Sequence, residues 1–359
     1  MTLVNLADYE ARAREVLSGP VLDYYDGGAN DEITLAQNTA AFGRVPLFFR
    51  VLRGTDVRDT TTTVLGFPIS MPILAAPVAL LGMAHAEGDA AAARATTAAG
   101  SIFVLSTLSS TPVEQVVEAA SGPVWFQLYV SQDRGVCEAL VRRVEAAGCS
   151  ALEVTVDAPL LGRRERDVRN AFALPEGLWA PNLYGDPSRV PEATRESPLA
   201  VAFATSIDPG LTWEDLAWLR SVTALPVIVK GIVRADDARR AADEGAAGIV
   251  VSNHGGRQLD TSPATIDALA AIADAVGDSV EVLLDGGVRR GTDVIKALAL
   301  GARAVQIGRP ILWGLASEGA SGVAGVFGIL HQELDLAMAL CGCRSIADIT
   351  RDLVEPGRA

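Results

Sequence analysis

Gly248-Ile249-Val250-Val251-Ser252-Asn253-His254-Gly255-Gly256-Arg257-Gln258-Leu259-Asp260 is the stretch on which the reading of the fold turns. Its first four residues are apolar and mostly β-branched, which marks a strand covered on both faces and hence a parallel sheet. The strand runs into a polar loop softened by two glycines. That loop carries a proton-transfer group, His254, three residues from a permanent cation, Arg257. His254 is one of only three histidines in 359 residues. A base beside an anion clamp suits chemistry at the α-carbon of a carboxylate. The bland alternative is a turn bearing a solvent-exposed imidazole.

Outward from this stretch the same pattern repeats. Short apolar runs at 72–79, 102–108, 124–130, 151–159, 227–232, 248–253, 280–287 and 304–310 read as strands. Ala-rich amphipathic segments at 89–99, 111–120, 133–147, 212–223, 234–244, 263–276 and 291–300 read as the helices between them. Thr111-Pro112-Val113-Glu114 reads as a capping box with Pro at the first helical position, and Ser262-Pro263 repeats the cap-then-Pro start. Eight strand–helix units in about 250 residues is the count of a TIM (β/α)8 barrel. An open doubly wound sheet is the alternative, and the count disfavours it. Two helices at 4–18 and 20–39 and an extended segment at 55–69 precede the barrel. No Pro-, Gly- or Ser-rich linker divides the chain, so a single α/β domain is expected: an N-terminal helical extension over 1–70, the barrel over 71–315 and a C-terminal helical segment over 316–359.

One connection is too long for a compact domain. About fifty residues separate the fourth strand from the helix at 212, with prolines at 175, 181, 187, 191 and 198 and two aromatic anchors, Trp179 and Tyr184. Such a loop is expected to be a mobile lid over the active face; a solvated excursion is the alternative.

Barrel enzymes place their chemistry at the C-terminal ends of the strands. Gln127 and Tyr129, Thr155 and Asp157, Lys230, Ser252 and His254, Asp285, and Gly308-Arg309 all fall there. Any one of them could be a satisfied strand-end polar group; polar delivery to one rim by so many strands is hard to explain by stability. Asp285-Gly286-Gly287-Val288-Arg289-Arg290-Gly291 and Gly308-Arg309-Pro310 each open a helix after the last two strands, the habitual phosphate site of this fold. No Gly-x-Gly-x-x-Gly opens a first βαβ unit, which argues against NAD. A single phosphate fits FMN or a phosphorylated substrate. Lys230 suits a fixed cation under a flavin, or a Schiff-base amine, or a lysine reaching for water.

The totals exclude several classes. A net charge of −14 argues against nucleic acid and anionic membrane surfaces. No apolar stretch of about 20 residues is evident, so no membrane span is expected. Cys137, Cys149, Cys341 and Cys343 lack a partner cluster for zinc, so no metal is expected, and they fit a reducing cytoplasm without disulfides.

The chain closely resembles the FMN-dependent α-hydroxy acid oxidases and dehydrogenases, the glycolate, lactate and mandelate oxidase type. The resemblance runs from Asp23-Tyr24-Tyr25 to Gly342-Cys343-Arg344-Ser345 and rests on 252–260, on 285–291 and on Leu161-Gly162-Arg163-Arg164-Glu165. It implies His254 as the base for the α-hydroxyl proton, with Asp157 steadying the imidazolium. Arg164 and Arg257 would clamp the substrate carboxylate, and Tyr24 and Tyr129 would hydrogen-bond the substrate. Pro77, Val78 and Ala79 would lie under the flavin. Ser106, Gln127 and Thr155 would bond its ring edges, Lys230 would sit beside N1, and Ser252 would belong to the same cofactor shell. Asp285, Gly287, Arg289, Gly308 and Arg309 would hold ribityl and phosphate.

The implied reaction takes an (S)-2-hydroxy acid to the 2-oxo acid, with a hydride equivalent passing to flavin N5 and O2 becoming H2O2; a carbanion route would use the same residues. Glycolate-type members carry Trp where this chain has Leu108, which opens the pocket and points to mandelate or 4-hydroxymandelate over lactate or glycolate. Ala79 tilts the expectation to an oxidase over a dehydrogenase with another acceptor. A homotetramer is implied, with the apolar stretch at 325–340 as a candidate interface. An FMN-dependent isomerase of a diphosphate is the alternative from another class; it would want more phosphate-binding cations and no His–Arg carboxylate pair.

Overall fold

A computed structural model describes residues 2–189 and 198–355. Three helices come first, α1 (Leu6–Val16), α2 (Gly19–Asp26) and α3 (Ile33–Phe42), then a hairpin, β1 (Thr62–Val64) and β2 (Phe67–Ile69). The single helix expected over 20–39 is two, broken where Gly27 and Gly28 pass under the loop after the sixth barrel strand: a Cβ on Gly28 would meet Gly256 O at 3.0 Å. The repeating units follow: β3 (Ile73–Ala75), α4 (Gly88–Ala98), β4 (Phe103–Ser106), α5 (Val113–Ala119), β5 (Val124–Leu128), α6 (Arg134–Ala147) and β6 (Leu152–Thr155). The long connection holds α7 (Glu165–Arg169), α8 (Pro181–Tyr184) and α9 (Pro198–Thr205). The chain then completes α10 (Trp213–Val222), β7 (Val227–Ile232), α11 (Ala235–Asp243), β8 (Gly248–Val251), α12 (Thr265–Val276), β9 (Glu281–Leu284), α13 (Gly291–Ala299), β10 (Ala304–Ile307) and α14 (Arg309–Cys341).

β3 to β10 are parallel and close on themselves, β10 pairing with both β9 and β3. This is the expected TIM barrel. Strand alternation sorts the side chains: Leu74, Val104, Trp125, Ile228, Val250 and Leu283 fill the interior, while the outward set packs against the helices. Val64 and Ile69 of the hairpin join the interior cluster and plug the N-terminal end. Polar chemistry is therefore left to the opposite mouth.

Three local expectations fail for identifiable reasons. Thr111 does not cap α5; Val113 N–H donates to Asn182 Oδ1 at 3.0 Å, so the cap comes from the long connection. Ser262-Pro263 does not start α12, which begins at Thr265; Ser262 O instead accepts from Thr34 Oγ1 at 3.1 Å. The expectation that no stretch is long and apolar enough to cross a membrane fails on length and composition at α14, with mean hydropathy 1.3. That helix is broken at Glu318 and Gly319, and its apolar face, including Leu315, Val323, Phe327 and Leu334, is buried, the helix packing on α1, α4 and α13. Pro191 of the long connection lies outside the described residues.

Candidate active site

Eighteen of the twenty residues singled out in the sequence line one cavity at the C-terminal mouth: Tyr24, Pro77, Val78, Ala79, Ser106, Leu108, Gln127, Tyr129, Thr155, Arg164, Lys230, His254, Arg257, Asp285, Gly287, Arg289, Gly308 and Arg309. Asp157 and Ser252 stand immediately behind it, each bonded to a lining residue.

The loop after β8 carries His254 in left-handed backbone, φ +60°, with Gly255 and Gly256 at +65° and +74°. The coil is held because Ser252 Oγ accepts the His254 N–H at 3.1 Å. The ring is then fixed at both nitrogens. Nδ1 lies 2.8 Å from Asp157 Oδ1 and Nε2 lies 3.2 Å from the Tyr129 hydroxyl. Burial alone would raise the Asp157 carboxyl, but His254 and Lys230 outweigh it and hold it below its ordinary value. An ionised Asp157 makes Nδ1 the protonated nitrogen and turns the Nε2 lone pair into the cavity. Burial holds His254 below its ordinary pKa, against the pull of Asp157, so the imidazole is neutral at pH 7. Burial also drives the Tyr129 phenol far up, which keeps it a hydrogen-bond donor.

The floor is a polar layer at the strand ends. Lys230 Nζ lies 2.7 Å from Asp285 Oδ2 and 2.8 Å from Ser252 Oγ. Burial would lower its pKa; Asp285, then Asp157, reverse that and keep the ammonium charged. A lysine held charged makes a poor Schiff-base nucleophile. Gln127 Nε2 donates to Thr155 Oγ1 at 2.9 Å, and Ser106 Oγ donates to Gln127 Oε1 at 3.2 Å.

Four arginines set the electrostatics. Arg257 donates to Tyr25 O and Gly27 O, Arg309 to Tyr25 O and Gly255 O, and Arg289 to Val288 O while it stacks 4.8 Å from the Trp313 ring. Arg164 Nε is buried without a partner. Among the described residues, none of the four forms an ion pair with a carboxylate. Burial, then the neighbouring Arg164, pushes Arg257 down to about 10; burial, then Arg257, pushes Arg309 down to about 9. Asp167 and Asp26 act on these cations from beyond ion-pair distance, and clustered, largely desolvated cations without a direct partner are costly unless anions join them. The arginines fall in two sets, Arg164 with Arg257 around Tyr24, and Arg289 with Arg309 beside the Gly286-Gly287 and Gly308 turns. Asp285 Oδ1 is a buried acceptor without a donor. A phosphate at the second set, a polyol against Asp285 and a heterocycle over the Lys230 layer match these unmet demands, which fits FMN.

The site also uses residues the sequence reading passed over. Phe203 on α9 lines the cavity edge-on to Tyr129, ring centroids 5.3 Å apart. Phe172 stacks on Tyr24 at 4.7 Å. The rest of the 252–260 motif fastens the extension: Asn253 exchanges amide bonds with Asn38 at 2.9 and 2.7 Å, and Gln258 ties to Gly162 N and Leu160 O. The Asp260 carboxylate accepts the backbone N–H groups of Asp31, Ile33 and Thr34. No local pattern announces these roles, since every partner lies far away in sequence.

A family model described as FMN-dependent dehydrogenase matches residues 13–356. An L-lactate oxidase of Nostoc sp. is 52% identical over 351 residues, covering 96% of each chain. A glycolate oxidase of Spinacia oleracea is 50% identical, covering 98% of this chain and 95% of its own. A crystal structure of mandelate oxidase with (S)-4-hydroxymandelic acid superposes with a TM-score of 0.93 at 44% identity, covering 97% of this chain and 98% of that one. The chain belongs to the FMN-dependent dehydrogenase family: it is a flavin oxidoreductase built on a (β/α)8 barrel, and its cofactor is FMN.

Proposed function

We propose that this 2-hydroxy acid oxidase acts on (S)-mandelate or (S)-4-hydroxymandelate, forming the 2-oxo acid while O2 becomes H2O2. The observation that carries the reading is the meeting, in one cavity, of two guanidiniums without a direct ion-pair partner among the described residues, Arg164 and Arg257, with His254 Nε2, held by the Tyr129 hydroxyl, and an apolar and aromatic wall of Leu108, Tyr24 and Phe203. Glycolate needs no such wall; a phenyl ring would bury against it.

In this account the substrate carboxylate neutralises Arg164 and Arg257, and Tyr24 and Tyr129 hydrogen-bond its oxygens. His254 Nε2 accepts the α-hydroxyl proton, and Asp157 stabilises the imidazolium. FMN, when bound, supplies the two-electron acceptor. Lys230 offers a fixed positive charge at its ring, Arg289 and Arg309 the phosphate site, and Ser106, Gln127, Thr155 and the segment from Pro77 to Ala79 its bed. Arg164 and Phe203, both from the long connection, line the cavity and would shield the substrate from water. Electron delivery to O2 follows from the oxidase relatives and from the small Ala79 in the cavity wall.

The relatives named lactate and glycolate oxidase support an aliphatic substrate as the second reading. Relative kcat/KM for (S)-mandelate, (S)-4-hydroxymandelate, L-lactate and glycolate decides; preference for an aryl acid by at least about tenfold is expected, and preference for lactate defeats the aryl assignment. Rapid reoxidation in air is expected of the reduced protein, and slow reoxidation would point to a dehydrogenase.

A homotetramer working in the cytoplasm completes the proposal. Phe49, Val51, Leu52 and Val57 are exposed on a loop tied to the end of α14, where Leu336 and Leu340 are exposed as well. Burial of that apolar surface between subunits would be favourable, and sedimentation of Leu52→Asp beside the parent tests it.

A further inference from the structure

β6 places Glu153 inside the barrel, two residues before Thr155 and fully buried. Gln127 stands across from it on β5, while Leu74, Val104, Trp125 and Ile228 pack in the rest of the interior. Gln306, from β10, lines the FMN cavity and donates Nε2 to Glu153 Oε2 at 2.6 Å. Two buried acceptors are then left over, Glu153 Oε1 and Gln306 Oε1, and neither has a donor. An ionised carboxylate cannot satisfy either, because it has no hydrogen to give. A neutral carboxyl carries the hydrogen that this pair of acceptors lacks, on the residue that Gln306 already bonds.

The charge balance agrees. The groups facing Glu153 are Lys230 on β7 and Asp285 just after β9, which already pair with each other, and the amide of Gln306 on β10. Asp157, two residues past the end of β6, is paired with His254. A further buried negative charge would be left uncompensated. We propose that Glu153 carries a proton beneath the FMN and that its ionisation tunes how readily the flavin accepts electrons. This rests on FMN lying over the Lys230–Asp285 pair, as proposed above.

Burial pushes the Glu153 carboxyl up to about 7, against the opposing pull of Lys230. Its charge therefore changes across the neutral range. Loss of the proton sets a negative charge under the ring that gains negative charge on reduction, so the flavin becomes harder to reduce. Reciprocally, reduction raises the affinity of Glu153 for its proton. Glu153 touches neither substrate nor the reacting atoms; it is a positioning residue for charge.

Two measurements on the FMN-loaded protein test this. Infrared spectra in H2O and D2O, between about pH 5 and about pH 9, should contain a carboxylic acid carbonyl band that shifts on deuteration, fades through neutrality and is lost in Glu153→Gln. Absence of the band in the parent, or its persistence in Glu153→Gln, overturns the proton assignment; the parent spectra require no variant to fold. The flavin midpoint potential should fall with rising pH more steeply in the parent than in Glu153→Gln, by about tenfold in the reduction equilibrium, which is about 30 mV for a two-electron couple. Equal slopes overturn the tuning role. Lys230→Met separates the two layers of the argument. A potential unmoved by Lys230→Met defeats the flavin placement and the tuning with it; a potential moved by Lys230→Met yet insensitive to Glu153→Gln defeats the tuning alone.

Discussion

His254 sits in backbone that a non-glycine residue adopts only where its surroundings insist, φ +60°. The Ser252 hydroxyl, Asp157 and Tyr129 supply that insistence and leave Nε2 unprotonated against the Tyr129 hydroxyl, able to accept a proton. A base must be unprotonated to work, and burial lowers this pKa. The kcat/KM profile should therefore be flat above the ordinary histidine range and fall only as pH drops through a value below about 6.5; a limb centred well above that value would contradict the assignment. Arg257→Lys should raise KM about tenfold or more with a smaller change in kcat, since one ammonium cannot reproduce the planar fork; steady-state kinetics check it. At this scale the sequence was most legible where one loop held both reactive groups, as with His254 and Arg257. Phe203 was illegible because it reaches the cavity only through the fold of the long connection, and Glu153 because a lone acid in an apolar run reads as a strand-edge residue until its interior position is seen.

The elements are tied together by side chains working across long sequence separations. Asp260 caps α3 from the far side of the cavity, taking the place of Glu32, which makes no side-chain cap bond of its own. Asp260→Ala should destabilise the protein by about 1–3 kcal/mol, read as a lowered denaturant midpoint at unchanged slope. Asn182 caps α5 and also donates to Ser109 Oγ at 2.7 Å. Asn182→Ala should cost about 1–2 kcal/mol, read as a lowered denaturant midpoint at unchanged slope; an unchanged midpoint would contradict the capping role. These links explain why helix starts were the least legible part of the fold. Thr111-Pro112-Val113-Glu114 has every local mark of a cap, and a residue about seventy positions away supplies it instead. Barrel strands were legible because burial on both faces demands continuous apolar runs, which few other elements require.

Across the whole molecule, buried acids set a pH dependence of stability. Burial raises Asp89 to about 6 and Glu153 to about 7. Both bind their protons more tightly when folded than when unfolded. Their contribution is complete below the ordinary carboxyl range and is lost as pH rises toward about 6 and about 7. The melting temperature of the parent should therefore decline over that interval more than that of Glu153→Gln, and equal declines would contradict the assignment. The same arithmetic of charge governs the mouth of the barrel. An acidic protein gathers four guanidiniums at one mouth, Arg164 buried and the other three partly buried, with no ion-pair partner among the described residues, and two anions completing the site would balance them.

The central claim is that those anions are the FMN phosphate and a 2-hydroxy acid carboxylate, with His254 Nε2 poised over the second. Anaerobic stopped-flow mixing of the yellow protein with (S)-mandelate tests it most directly. The account predicts rapid bleaching of the flavin in the parent and a fall of about a thousandfold in that rate in His254→Ala, with FMN still bound. Bleaching at the parental rate in His254→Ala, or a parent that binds no FMN, would contradict it.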